Sequence, residues 1–291
     1  MVNCDLGNWT ICRLWPVRRH IGSGLLAENA VVAQAAFRQR AQSLCGPFAK
    51  KAPNVIWFRN NSAPSGNMSN SATAILNVLA GKYGTLEPDF PTDPYQFIVW
   101  WHCGYPQSHK ACAKGWASLT KATKIEPADL LRAQPGGPIE ALRPGGMFPE
   151  LRALRLKEIA ERVLKEFDGD LAAALRAMSR KEARAALVRF PSIANPGADR
   201  ILLFGGIAPI AAVPSNCVHV LVRIEHGRER ESYTVNYRMA QESVEAAVPA
   251  TFDARMQAYL VLRRHGQDIC KRTNPKCGDC VVRSKCRYAD S

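Results

Sequence analysis

Cys270-Lys-Arg-Thr-Asn-Pro-Lys-Cys277-Gly-Asp-Cys280-Val-Val-Arg-Ser-Lys-Cys286 decides how the rest of this chain is read. Its four cysteines fall at a C-x6-C-x2-C-x5-C spacing, with Pro275 and Gly278 as turn formers and five basic residues between them. Four thiolates on one short loop suit a [4Fe–4S] cluster or a structural zinc ion. Zinc loops usually carry two C-x2-C knuckles, and here only Cys277 and Cys280 make one. The asymmetric spacing therefore favours the cluster, with Cys270, Cys277, Cys280 and Cys286 as ligands.

Composition narrows the partners. The chain has 291 residues, enough for one large core or two modest ones, and a formal net charge of +14. That excess of cations suits a polyanion, nucleic acid before a membrane surface. No run of eighteen apolar residues suggests a membrane span, and Asp5 interrupts any secretory leader. A cluster needs reduced thiolates, so Cys4, Cys12, Cys45, Cys103, Cys112 and Cys217 are expected as free thiols in a reducing cytoplasm. The sequence holds no P-loop, dinucleotide fingerprint or His-Glu-x-x-His motif.

Leu262-Arg-Arg-His-Gly-Gln-Asp-Ile-Cys270, followed by that cysteine spacing, resembles the end of the endonuclease III and adenine glycosylase branch of the helix-hairpin-helix (HhH-GPD) DNA glycosylases. The resemblance runs back, more weakly, to about Asp93. It implies an all-α, two-lobed fold with a [4Fe–4S] loop, acting as a monomer on double-stranded DNA. A phage-encoded chain would do so in its host's cytoplasm. The expected organisation is an N-terminal extension over 1–92, a glycosylase-like core over 93–269 and the cluster loop over 270–291. Lys271, Arg272, Lys276, Arg283, Lys285 and Arg287 would face DNA phosphates; a solvated basic tail is the plainer alternative.

Along the chain, helices are expected over 25–44, 72–83, 95–102, 108–120, 153–167 and 179–188. Asn60 to Ser71 reads as a polar loop, and Glu87 to Pro94 as a proline-rich linker. The helix over 153–167 should bury Leu154, Ile159, Val163, Leu164 and Phe167. Ser179 and Glu182 should form a capping box. In the family, the helix corresponding to 95–102 ends in a glutamine that fills the gap left by an extruded base. His102 stands at that place, where it or Tyr105 could stack as a wedge; a core histidine capping the helix is the alternative.

The family hairpin reads Leu-Pro-Gly-Val-Gly-Arg-Lys-Thr-Ala, and this chain has Phe190-Pro-Ser-Ile-Ala-Asn-Pro-Gly-Ala198. Ser192 and Ala194 replace the glycines that bring backbone amides close to a phosphate. With Gly197, Arg200 and Asn216 they make the expected DNA-contacting set. Asn195 and Pro196 are expected as N-cap and first-turn pair. Pro196 also stands where bifunctional relatives carry a Schiff-base lysine. A catalytic aspartate of the family maps within Val213-Pro-Ser-Asn-Cys-Val-His-Val-Leu-Val-Arg223 onto Pro214, which has no carboxylate.

Three readings follow. In one, the protein acts on an extruded pyrimidine by transfer, as the phage α-glutamyl/putrescinyl-thymine pyrophosphorylase class is thought to do. An amine or amino acid co-substrate would displace pyrophosphate from activated 5-hydroxymethyluracil, with His102, His109, Lys110 and Arg200 as candidate cations and bases. In another, the protein remains a glycosylase with Asp199 as substitute acid. In the third, it reads modified or damaged bases without catalysis.

Overall fold

The computed structural model describes Phe58, residues 67–134 and residues 136–289. The helix expected over 25–44 lies outside them. Helix α1 (Asn67–Tyr83) takes in the last five residues of the expected polar loop, because nothing between Gly66 and Tyr83 breaks the backbone ladder. Gly84, at φ 66°, ends it in the left-handed conformation that glycine adopts without strain. Asp93 then caps α2 (Pro94–His102): its carboxylate accepts the Gln96 N–H at 2.9 Å, and Pro94 occupies the first turn. Ser108 caps α3 (His109–Ala122) in the same way.

Two short helices, α4 (Pro127–Arg132) and α5 (Gly136–Leu142), lead to α6 (Pro149–Glu166). Here the expected buried face needs correction. Arg152, Ala153, Leu156, Ile159, Ala160 and Val163 are buried, whereas Leu154 is 64% exposed and Leu164 is 37% exposed. The helix starts four residues earlier than expected, and the 3.6-residue period places its inward stripe on 152, 156, 159 and 163. Next come α7 (Leu171–Ala177) and α8 (Arg180–Leu187), the latter opened by the expected Ser179–Glu182 capping box. Helix α9 (Asn195–Phe204) follows the hairpin, but its N-cap is Ala194 without a side-chain cap, and Asn195 already lies inside the helix.

The second half of the chain adds α10 (His219–His226), α11 (Tyr233–Ala247) and α12 (Phe252–Asp268). Among the described residues there is no strand. Two apolar cores divide these helices. One gathers Phe97, Ile98, Trp100, Leu119, Leu142, Ile159, Val163 and the hairpin's Phe190 and Ile193. The other gathers Ile75, Leu76 and Leu79 of α1 with Val220, Leu221 and Ile224 of α10, Val244 of α11, Val261 of α12 and the loop residues Val282 and Cys286. Helix α1 lies within the stretch expected as an extension, yet its apolar face is part of the core beneath the cysteine loop. Residues 84–93 are likewise fastened to α12, through paired hydrogen bonds between Leu86 and Gln257 and a bidentate Arg263–Asp89 contact at 2.6 and 2.8 Å.

Candidate nucleic-acid interface and thiol loop

The loop after α12 is tied down at both ends. Arg223 on α10 donates to the carbonyls of Lys271 and Arg272 at 2.8 and 3.0 Å and pairs with Glu229 at 3.1 Å. His219, one turn earlier, meets the Cys270 carbonyl at 2.6 Å. At the far end, the amides of Arg287 and Tyr288 donate to the carbonyls of Ile224 and Arg223. Cys270, Cys277, Cys280 and Cys286 all line one small cavity of about 20 Å³, together with His265, Ile269, Pro275 and Tyr288. All four are free thiols, as are Cys103, Cys112 and Cys217; Cys4, Cys12 and Cys45 lie outside the described residues. Burial pushes the Cys270 thiol up to about 11, against a partial offset from Arg223. Among the described residues no group of three or more His, Cys, Asp or Glu side chains is placed to hold a metal ion. A set of four thiols around one cavity, with no carboxylate in its lining, fits a polynuclear iron–sulfur group. Around the cavity Lys271, Arg272, Lys276, Arg283, Lys285 and Arg287 are exposed, Arg272 within 3.5 Å of Glu229.

The hairpin presents Ser192 and Ala194 to solvent, with Gly197 half-buried just inside α9. Ser192 has φ 56°, so it adopts the left-handed conformation that glycine takes most easily. Its hydroxyl accepts from Arg155 at 3.1 Å. Asn216 is exposed in the short 3-10 turn Ser215–Cys217 that Pro214 opens.

Arg200 is not on this surface. Only 5% exposed, its guanidinium lies 3.9 Å from the Phe90 ring and 4.6 Å from Phe97, with Trp100 and Tyr259 also in cation–π range. Nε and Nη2 have no hydrogen-bond partner, and burial lowers its pKa to about 10. The sequence treats it as a phosphate contact because a charge after a hairpin suggests one; the aromatic cage, assembled from three distant segments, is invisible there.

The histidines are likewise drawn inward. His102 is 1% exposed, with Nδ1 2.8 Å from the Ile98 carbonyl. Burial lowers it to about 4, so it is a neutral core residue and not a wedge. His109 lies between Arg263, at 2.7 Å, and Arg200, at 3.3 Å, edge-on to Trp100; burial and these cations lower it to about 3. Tyr105 is half-buried against Trp101, with ring centroids 5.0 Å apart, and Lys110 is exposed.

Pro214 is buried. Asp199 is fully buried, accepting from Arg184 at 2.6 Å, the Tyr237 hydroxyl at 2.9 Å and Gln241 at 3.2 Å. Burial raises its pKa in spite of those donors. Glu225 is buried as well, bonded to the Ser243 hydroxyl, with its carboxyl pushed up by desolvation.

One feature escapes sequence reasoning. Met147 and Phe148, just before α6, are 52% and 56% exposed. The loop behind them is held by Arg152, itself 1% exposed, which donates to the carbonyls of Leu142, Gly146, Met147 and Cys103. Gly145 permits that closeness, since any Cβ there would collide with the Cys103 carbonyl. The signal was available as an apolar pair directly after Pro-Gly-Gly, where a loop would normally be polar.

No protein-family model matches this sequence. Endonuclease III of Escherichia coli is 28% identical over 109 residues, which is 38% of this chain and 48% of that protein. The chain thus spans about half the length of the curated relatives it matches. A trapped endonuclease III–DNA covalent intermediate superposes with a TM-score of 0.62 at 15% identity, covering 76% of this chain and 97% of that one. A thermostable thymine-DNA glycosylase gives 0.62 at 20% identity, covering 77% and 99%. The fold is that of the HhH-GPD DNA glycosylases.

Proposed function

We propose that this chain, built on the helix-hairpin-helix glycosylase fold, binds duplex DNA and modifies an extruded pyrimidine by group transfer rather than cutting it from its sugar. The observation that carries this is Pro214, buried at the place where the family has its aspartate. Of the acids nearest that place in the sequence, Asp199 is buried with Oδ2 accepting from Arg184, Tyr237 and Gln241, and Glu225 is buried against the Ser243 hydroxyl. Excision would need a carboxylate to stabilise the sugar cation, and Pro214 supplies none. Transfer makes no such demand. An amine or amino acid attacks the exocyclic carbon of a diphosphorylated 5-hydroxymethyluracil; a C–N bond forms, the C–O bond to the diphosphate breaks, and the amine's proton passes to a base. In this reading the exposed Lys110 holds the leaving diphosphate and the half-buried Tyr105 ring stacks on the base. His102 and Arg200, both buried, take no part.

DNA grip rests on the hairpin backbone at Ser192 and Ala194, on Asn216, and on the basic residues of the thiol loop. Met147 and Phe148, held rigid by Arg152, supply an apolar wedge to fill the stack behind an extruded base. Cys270, Cys277, Cys280 and Cys286 would hold a [4Fe–4S] cluster, whose contribution is to fix this loop and its cations in place.

The test is chemical. Duplexes bearing uracil, oxidised, alkylated, 5-hydroxymethyl or 5-hydroxymethyl-diphosphate pyrimidines are incubated with the protein and a mixture of amines and amino acids, then analysed by mass. A heavier base with released diphosphate is expected, and Asp199→Asn should retain it. Abasic product that disappears in Asp199→Asn would establish excision instead; binding without either product would leave a reader.

A further inference from the structure

His265, on α12, is 1% exposed and lines the thiol cavity. Its Nε2 lies 3.6 Å from the Cys280 sulfur, within reach of an N–H···S hydrogen bond. Its Nδ1 lies 3.0 Å from the hydroxyl of Tyr83, the last residue of α1. The His265 carbonyl accepts the amides of Ile269 and Cys270 at 3.0 and 2.8 Å, so the same residue anchors the start of the loop.

We infer that Tyr83 and His265 form a hydrogen-bonded relay that donates to the sulfur of Cys280, so that the helix preceding the glycosylase-like core tunes the iron–sulfur group. This rests on the cluster reading given above. A thiolate sulfur accepts and cannot donate, which requires the proton of a neutral imidazole to reside on Nε2. Nδ1 then needs a donor, and the Tyr83 hydroxyl is placed to be one. Without it, nothing holds the tautomer, and a proton on Nδ1 would turn a lone pair toward the sulfur. Tyr83 is thus a positioning residue acting through His265. A hydrogen bond to a ligand sulfur favours the more negative, reduced state and so raises the reduction potential.

Tyr83→Phe removes one oxygen and keeps the ring; His265→Gln keeps an N–H near the sulfur; His265→Phe removes it. Iron content and visible absorbance are measured on full-length protein purified without oxygen, and the one-electron potential is then read at an electrode. Tyr83→Phe is expected to retain its iron while its equilibrium constant for reduction falls about tenfold, which is about 59 mV. His265→Phe should fall at least as far, and His265→Gln should recover part of the loss. A wild-type protein without iron would overturn the cluster reading and this inference with it. Wild-type iron retained, with the same potential in Tyr83→Phe, would overturn the relay alone. Should His265→Phe not fold, the decision rests on Tyr83→Phe.

Discussion

Replacing Arg223 by Met removes the guanidinium that ties the thiol loop to α10 while leaving a stem of similar length to fill the space. Three contributions are lost. The carbonyls of Lys271 and Arg272 lose donors at 2.8 and 3.0 Å, about 1 kcal/mol each, since both can regain only part of that from water. The guanidinium leaves the face of Tyr288, 4.7 Å from the ring centroid, for about 1 kcal/mol. Glu229 loses a partner at 3.1 Å but keeps Arg272 at 3.5 Å and some solvent, so that part is small. The total is about 3 kcal/mol, or roughly 6–12 °C in Tm for a domain of this size. Thermal unfolding followed by circular dichroism measures it, and hydrogen exchange should quicken first across residues 270–289. Arg238→Met is the control, because its pair with Glu242 spans 3.8 Å between side chains that are both 70% exposed, and it should change little. A fall of less than about 2 °C for Arg223→Met would refute the latch.

Three further outcomes are expected. Pro214→Asp should fold, because φ −62° and ψ 119° suit an aspartate N-cap, and it should produce abasic sites on substrates the wild type leaves intact; DNA binding without abasic product would show that the position is not the seat of the acid. His102 has a folded pKa near 4 against 6.5 when unfolded, so the unfolded state binds its proton first on acidification. Its stabilising contribution is complete above about pH 6.5 and declines as pH falls toward 4, by about 3 kcal/mol, and His102→Gln should show a shallower slope of unfolding free energy over that window. Ser192→Gly relieves about 1 kcal/mol of left-handed strain, offset in part by the greater freedom of glycine when unfolded. Stability should hardly move while DNA affinity rises, and weaker binding would count against the hairpin as a phosphate site.

What the sequence revealed depended on how local the cause was. The capping box at Ser179 was legible because all its atoms lie within four residues. The helix ends at Gly84 and Pro94 were legible for the same reason. The four loop cysteines could be grouped by spacing, and they do line one cavity. The errors are long-range. Arg200 and His102 carry charge or titrate, so in sequence they invite a surface or catalytic role. The burial of Arg200 is decided by Phe90 and Tyr259, which only the fold brings near. Leu154 misled through a small error in helix phase, and the Met147–Phe148 pair was missed because its rigidity comes from Arg152 and a carbonyl at Cys103.

Backbone geometry and side-chain chemistry combine unusually at two positions. Ser192 has φ 56°, a conformation that is inexpensive only for glycine. Pro214 keeps an extended cap at φ −62°, close to the angle its ring enforces, so the turn needs no distortion to do without the aspartate. A chain drifting away from DNA would have no reason to bear left-handed strain at an exposed hairpin, and could relax it by moving one peptide. Excision would call for a carboxylate beside the bound sugar, and Oδ2 of the buried Asp199 is already taken up by Arg184, Tyr237 and Gln241. A left-handed residue at the exposed hairpin, together with a proline and no acid at position 214, is the combination that the proposed transfer on bound DNA calls for.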